Sequence, residues 1–333
     1  MYFLLGISLA FAVLLIINLL ASISANAVWR LVSRRVQQFS ANVQAQIIFG
    51  LRILPVVAAV LFVLAFVIPA YVLYEPVGSG EVVGSKLAII AVASSFGVLI
   101  ALFRVFKTWL ATRRLTANWL ADAVPFAIEN VKVPVYRIEH AFPVIAVVGI
   151  FRPRLFVAKK VLDSLDEHEF RAAISHEYGH LTAKDNFKRT LLRICRDLLI
   201  VPFGKRLDRA WAENAESVAD EYAAKSRGGS TALDLASALI KIARIVPANA
   251  SPAMPLGAFL LEEQSGDITW RVQKLLQFSS GKDNRLNGRP FAYSPIFWLC
   301  SALATLILLL PIADPTLLLS VHNALESIVR ILQ

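Results

Sequence analysis

His176, Glu177 and His180 fall in the run His-Glu-Tyr-Gly-His, and Glu216 and Asp220 follow downstream in Glu-Ser-Val-Ala-Asp. On a helix of about 3.6 residues per turn, positions four apart share a face, so His176 and His180 can present two imidazole nitrogens to one ion. Glu177 then lies beside that ion without binding it. A catalytic zinc takes about three protein ligands and keeps a fourth position for water, which calls for a carboxylate on another element. Glu216 is the expected ligand, with Glu213 and Glu221 as the alternatives on the same segment. Asp220, one turn on, would accept the free ring N–H of a ligand histidine. This set implies one Zn2+ per chain and hydrolysis of a peptide bond without a covalent intermediate. Zinc acidifies water and polarises a carbonyl, and Glu177 would carry the proton from the attacking water to the leaving amine. Tyr222 and Arg271 are the candidates for stabilising the developing oxyanion.

Two helices must hold these groups. Ser164 and Glu167 have the spacing of a capping box, and Phe170, Ala173 and Ile174 supply an apolar face to the helix that would follow. Gly179 would let another backbone approach closely. The segment from Asp208 to Arg227 reads as the second helix, closed by Gly228 and Gly229, with Glu213, Glu216 and Asp220 on one face. Taken alone, that face would be a solvated acidic stripe, and two histidines four apart could be surface residues. Together they point to a metal, since a divalent ion offsets the repulsion among clustered carboxylates. Before the first helix, Val131 to His140, Phe142 to Ile150 and Arg154 to Ala158 read as strands. The last of these is expected either to expose an edge that pairs with an extended substrate or to lie inside the sheet. Leu191 to Phe203 reads as a short core or interfacial helix, and Pro247 to Leu261 as an irregular loop with apolar tips.

Hydrophobic residues make up 57% of the 333 and charged residues 17%, which is the composition of a membrane protein. Four runs approach or exceed the length that crosses a hydrocarbon core: Met1 to Val28, Ile53 to Tyr74, Leu87 to Phe103 and Phe291 to Ala313. Ser94, Ser95 and Gly97 form a small-residue packing face on the third. Basic residues flank these runs unevenly. Arg30, Arg34, Arg35 and Arg52 follow the first, Arg104, Lys107, Arg113 and Arg114 follow the third, and Lys282, Arg285 and Arg289 precede the fourth. By the positive-inside rule all three clusters are cytoplasmic, with the N-terminus outside. The first run lacks a basic leader and reads as an anchor rather than a cleaved signal. The net charge of +10 is explained by these clusters facing lipid headgroups, and no nucleic-acid motif is present. Cys195 and Cys300 lack zinc-ligand spacing and are expected to remain unpaired.

The runs Gly149-Ile-Phe-Arg-Pro153, His176 to His180 with Asp185-Asn186, and Glu216 to Glu221 resemble the membrane gluzincin metallopeptidases of the BlaR/MecR antibiotic-sensor type. HtpX-like and prenyl-protein-type membrane proteases are more distant relatives. The resemblance implies an α-helical membrane protein of four transmembrane helices with an α+β zincin domain of the gluzincin kind inserted between the third and fourth spans. The expected domains are 1–106 (three spans), 107–290 (the cytosolic zinc domain) and 291–333 (the fourth span and a short external tail). It implies zinc on His176, His180 and Glu216 with Glu177 as base. The chain departs from the sensors in ending about twenty residues past the fourth run, which puts direct antibiotic sensing in doubt. The expected activity is therefore a membrane-embedded zinc endopeptidase acting on a protein or peptide at the cytosolic side or membrane surface, in signalling or regulated proteolysis. A separate protein would supply any sensor. The alternatives are an HtpX-like quality-control protease and a non-catalytic zinc-containing transducer or scaffold. A structural site usually closes with four ligands, which argues against the last.

Overall fold

Long uncharged segments make long helices when every backbone polar group must be satisfied within the segment. The computed structural model describes residues 2–76, 83–128, 131–198, 204–226, 229–246, 265–280, 305, 308–312 and 314–332. Helix α1 covers Tyr2–Val36, α2 covers Ala41–Phe62, a π-turn covers Val63–Val67, α3 covers Ile68–Tyr74, and α4 covers Ser85–Ala121. The π-turn directly precedes Pro69, whose missing N–H breaks the regular ladder, so the chain absorbs the mismatch by widening one turn. The run Ala41–Tyr74 is thereby continuous.

Three helices among the described residues, Tyr2–Val36, Ala41–Tyr74 and Ser85–Ala121, are long and apolar enough to cross a membrane. The expectation of four transmembrane helices is corrected to three, and with it the insertion of the α+β zincin domain between a third and a fourth span. Most of Phe291 to Ala313 lies outside the described residues, and what is described of it is residue 305 and the stretch 308–312. An apolar run makes a span only where it forms one helix of about 20 residues, and the described part of this run falls far short of that.

The three helices pack as an antiparallel bundle. At one end the Tyr71 hydroxyl donates to the Tyr2 carbonyl at 2.7 Å, and Leu5, Leu9, Tyr71 and Leu87 share a cluster. A C-terminal helix, Thr316–Leu332, closes this end through Leu325 and Val329. The other end carries the domain. Helix α4 runs into it without a break, and Trp119 meets Phe156 of its core edge-on at 5.1 Å.

The domain combines helices with a mixed sheet of four strands: β1 (Val124–Pro125), β2 (Val135–Ile138), β3 (Ile145–Val148) and β4 (Arg154–Ala158), in the order β1-β2-β4-β3. Strand β4 runs parallel to β2 and antiparallel to β3. Arg154 to Ala158 is thus an interior strand, and the edge beside the active-site helix belongs to β3. After the short helix α5 (Lys159–Leu162) come α6 (Glu167–Ala183), α7 (Asp185–Asp197), α8 (Lys205–Ser226), α9 (Gly229–Ile245) and α10 (Ser265–Ser279). Ile145, Phe156, Val157, Ala173, Leu235, Leu239 and Leu275 join sheet and helices in one core. Pro247 to Leu261, read as a loop, lies outside the described residues apart from the sequence itself.

Domain and bundle meet along α2. Ala45 and Ile48 pack against Leu207, Trp211 and Ala215 of α8. Gly204, at φ 100°, turns the chain into α8 where a Cβ would lie 2.7 Å from the Arg52 Nε, so this position needs glycine for both space and conformation. Gly97 of α4 lies under the Leu198 carbonyl, where a Cβ would come within 3.0 Å. The small-residue face of α4 therefore receives the end of α7.

Candidate metal centre

Helix α6 starts two residues later than the spacing of Ser164 and Glu167 indicates. Asp166 is the N-cap: it accepts from the Glu169 N–H at 2.9 Å, while the Glu169 carboxylate accepts from the Asp166 N–H at 2.9 Å. Ser164 instead donates to the Lys160 carbonyl. A carboxylate cap competes well at a helix N-terminus because it meets the partial positive charge of the free N–H groups.

From that start, His176 and His180 fall on the face turned toward α8. Gly179 permits the approach, since a Cβ there would stand 3.0 Å from the Ala219 Cα and 3.2 Å from the Tyr222 Cβ. The approach brings Glu216 between the two imidazoles. The Nε2 atoms of His176 and His180 are 3.1 Å apart with the rings nearly perpendicular. Each Nε2 is 3.5 Å from one oxygen of Glu216. One ligand atom from each of the three residues lies within 4.8 Å of the others.

The far side of each ring is held. His176 Nδ1 is 2.9 Å from Asp220 Oδ1, and His180 Nδ1 is 2.7 Å from Asp185 Oδ2. Carboxylates at both Nδ1 atoms place the protons there and leave both Nε2 lone pairs aimed at the common point. Asp220 is in turn gripped by Arg271 of α10, through Nε at 3.0 Å and Nη2 at 2.6 Å. Arg271 Nη1 also reaches Glu216 Oε2 at 3.2 Å, and Arg189 of α7 reaches Glu216 Oε1 at 3.1 Å. Glu177, on the same turn of α6, accepts a long 3.3 Å bond from the Val147 N–H of β3. Asn186 ties the same strand down by donating to the Val147 and Gly149 carbonyls.

The electrostatics call for a cation. Four buried carboxylates, Glu177, Asp185, Glu216 and Asp220, belong to the site, and the guanidiniums of Arg189 and Arg271 pair with Glu216 and Asp220 alone. Lys188 approaches Asp185 only at 3.8 Å, from a partly exposed position. Burial works to lower the His180 pKa, yet Glu216 and Asp185 overturn it and raise it to about 10. In other words, the carboxylates recruit a proton to the spot a metal would take. Burial pushes Glu216 up, but His180, His176 and Arg271 hold it well below the usual range. Asp220 is brought down to about 2: burial opposes the shift and the Arg271 charge outweighs it. Buried Glu216 Oε2 makes no hydrogen bond, and its contact with Arg271 Nη1 at 3.2 Å is an ion pair. An anionic oxygen left so, between two oriented Nε2 atoms, fits zinc.

Several site residues are invisible to spacing. Asp185 lies five residues after His180, off the helix face. It returns because Lys184 adopts a left-handed conformation at φ 56°, ending α6 and starting α7 at once. Arg189, Asn186 and the Val147 N–H likewise enter only through packing. Tyr222 is 38% exposed and its ring lies tilted toward that of Tyr178 at 6.2 Å, beside rather than within the triad. Glu221 pairs with Lys274 at 3.4 Å, away from the histidines.

Residues 115–225, a third of the 333-residue chain, match the family model for peptidase family M48. The match runs from the end of α4 through α8 and includes His176, Glu177, His180, Glu216 and Asp220. No curated protein matches the chain significantly. The match is to peptidase family M48 as a whole and does not single out the BlaR/MecR type. Residues 115–225 are therefore similar to peptidase family M48, and within them His176, His180 and Glu216 make a triad that could hold the zinc of a metalloendopeptidase.

Proposed function

We propose that the chain is a multi-pass membrane zinc endopeptidase that cuts a protein or peptide substrate at the cytosolic side or membrane surface. The observation that carries this reading is the convergence of His176 Nε2, His180 Nε2 and Glu216 on one point, in an M48 domain packed directly on long apolar helices. His176, His180 and Glu216 would hold zinc, which supplies Lewis acidity to the scissile carbonyl and acidifies water. Burial raises the Glu177 pKa, against the pull of His180 and His176, so its carboxylate is a stronger base than in water. Glu177 takes a proton from the attacking water as the new C–O bond forms. It returns that proton to the amine nitrogen as the C–N bond breaks. Its weak bond to the Val147 N–H lets it swing between these positions without being lost from the site. Asp220 and Asp185 keep the imidazoles in register, and Arg271 is a clamp on Asp220 that also reaches Glu216. Tyr222, at the half-exposed rim, is the remaining side-chain candidate to meet the oxyanion. An extended substrate would lie along the β3 edge, beside Glu177.

Orientation follows from charge. Arg30, Arg34, Arg35, Lys107, Arg113 and Arg114 lie at the bundle end that carries the domain, while Tyr2, Glu75 and Lys86 lie at the other. The positive-inside rule then puts the zinc domain in the cytosol. The M48 match favours a role of the HtpX-like, quality-control kind over antibiotic sensing. Substituting Glu177→Gln in the full chain should keep zinc content and lower peptide hydrolysis by about 10²–10⁴-fold. New protein termini should appear in cells carrying the native chain and be missing with the variant. Turnover retained in Glu177→Gln overturns the assigned base, and zinc absent from the native chain overturns the centre.

A further inference from the structure

Helix α8 begins at the level where the second apolar helix leaves the charged part of the chain. Arg52 is the last residue before the apolar run Ile53 to Tyr74, and the chain enters α8 directly beside it. A Cβ on Gly204 would stand 2.7 Å from the Arg52 Nε, and Asp208 accepts from that same Nε at 2.9 Å. Further along α8, the Trp211 ring lies 6.4 Å from that of Phe49, and Leu207 and Trp211 pack on Ala45 and Ile48. Helix α8 therefore rises away from the apolar run, antiparallel to α2, with its first turn at the depth of Arg52.

That first turn has two faces. Leu207 and Trp211 are buried toward α2, while Lys205, Arg206 and Arg209 are exposed. At about 3.6 residues per turn the three basic positions fall in one sector, opposite Leu207 and Trp211. Among the described residues no carboxylate pairs with any of the three, and the acid of the same turn, Asp208, is held by Arg52 at 2.9 Å. Cations are also disfavoured at this end of a helix, where the free N–H groups already carry positive partial charge. Neither helix stability nor ion pairing with these residues accounts for the basic face, and an anionic surface outside the chain would offset its repulsion. Position identifies that surface. The face lies at the rim of three helices long and apolar enough to cross a membrane, so at that depth it meets the headgroup layer, and acidic headgroups complement its charge.

We propose that Lys205, Arg206 and Arg209 dock the zinc domain on acidic phospholipid headgroups of the bilayer that its apolar helices cross. The inference rests on the membrane reading of those helices and uses none of the hydrolytic chemistry. Its consequence for the metal centre is positional. Glu216 lies on the same helix, about 16 Å along it from Lys205, so a docked first turn holds the metal ligands at a set distance from the headgroups.

The test places the full chain in nanodiscs of phosphatidylcholine alone or with phosphatidylglycerol added, and follows amide hydrogen exchange segment by segment. With phosphatidylglycerol, the first turn of α8 should exchange several-fold more slowly than in phosphatidylcholine alone, while α9 is unchanged. The Lys205→Gln/Arg206→Gln/Arg209→Gln variant should lose the difference. So should the native chain at about 1 M salt, where the screening length falls to about 3 Å. Equal exchange in the two lipids, or slowing that survives in the variant, overturns the docking. The same slowing on adding inorganic phosphate to phosphatidylcholine discs also overturns it, because the face would then take a free anion rather than the bilayer. Should the variant fail to fold, the salt response of the native chain decides. The hydrolytic reading is tested separately by Glu177→Gln, so either can fail without the other.

Discussion

Buried charges are arranged in opposite ways where the domain meets the helical bundle and where the domain gathers its metal ligands. At the junction, Arg52 is 2% exposed and its Nε donates to Asp208 at 2.9 Å, while Arg104 of α4 meets Asp197 of α7 at 2.6 Å. Arg196 stands at 3.9 Å from both aspartates. Every acid there faces a guanidinium. At the triad, acids outnumber guanidiniums, and two imidazoles oriented by carboxylates turn both Nε2 atoms toward a third carboxylate, Glu216. The junction neutralises itself and can be read as structure. The triad needs a charge from outside the chain, and that is the mark of a metal site rather than an ion pair.

The two regions are joined by one element. Helix α7 holds Asp185, Asn186 and Arg189 at its N-terminal end, each touching the metal ligands or β3. Its C-terminal end carries Arg196 and Asp197, and Arg193 in between donates to Thr108 of α4. Displacement of α4 would therefore be felt at the ligands through a single rigid helix.

The comparison breaks first at Asp208. Substituting Asp208→Ala strands the buried Arg52 charge and should destabilise the protein by about 3–5 kcal/mol, whereas Arg52→Met with Asp208→Leu should recover most of that loss. Chemical denaturation of the two variants checks this, and equal stability in both would mean that the junction is not held by charge pairing. At the triad, Asp185→Asn should leave the fold intact and weaken zinc binding by about 10–100-fold, read by competition with a chelator. Unchanged affinity would remove Asp185 from the centre. The smallest effect is expected away from both regions, at Glu169, which is buried beside Lys241 at 2.6 Å and accepts from Ser237 at 2.6 Å. Burial alone would raise its pKa, and the Lys241 and Ser237 hydrogen bonds bring it below the ordinary glutamate value of 4.5. A carboxyl whose folded pKa is lowered contributes stability above about pH 4.5, and loses it as pH falls toward the folded value. Glu169→Gln should therefore cost about 1 kcal/mol at neutral pH, allowing for the partly exposed Lys241, and the difference from the native chain should vanish on acidification. A constant difference across pH 3 to 7 would show that ionisation plays no part.

Much of the triad is legible in the primary structure because helical periodicity is local. His176 and His180 must share a face once the segment is helical, and Glu216 and Asp220 must do so on theirs. The extent of α6 was less legible, since Ser164 and Asp166 both begin acceptable caps and only the packing of Glu169 on Ser237 and Lys241 selects the second. The fourth apolar run illustrates the same limit. Hydrophobicity is additive along a window, but a span also requires one continuous helix, and what is described of Phe291 to Ala313 is residue 305 and the stretch 308–312. The strand Arg154 to Ala158 was identifiable as a strand, yet its interior place depends on pairing with β2 and β3, which are distant choices.

Residue order alone determined the metal-binding vocabulary, the membrane-protein composition and the periodic faces, because each depends on contacts within a few residues. Tertiary structure decided which carboxylate meets which imbalance of charge. It turned Asp185 back through the left-handed Lys184, brought α8 onto Gly179, placed Arg52 under Gly204, and drew Glu75 to His322 across most of the chain. Those choices cost chain entropy that only a packed core can offset, so no local pattern could announce them.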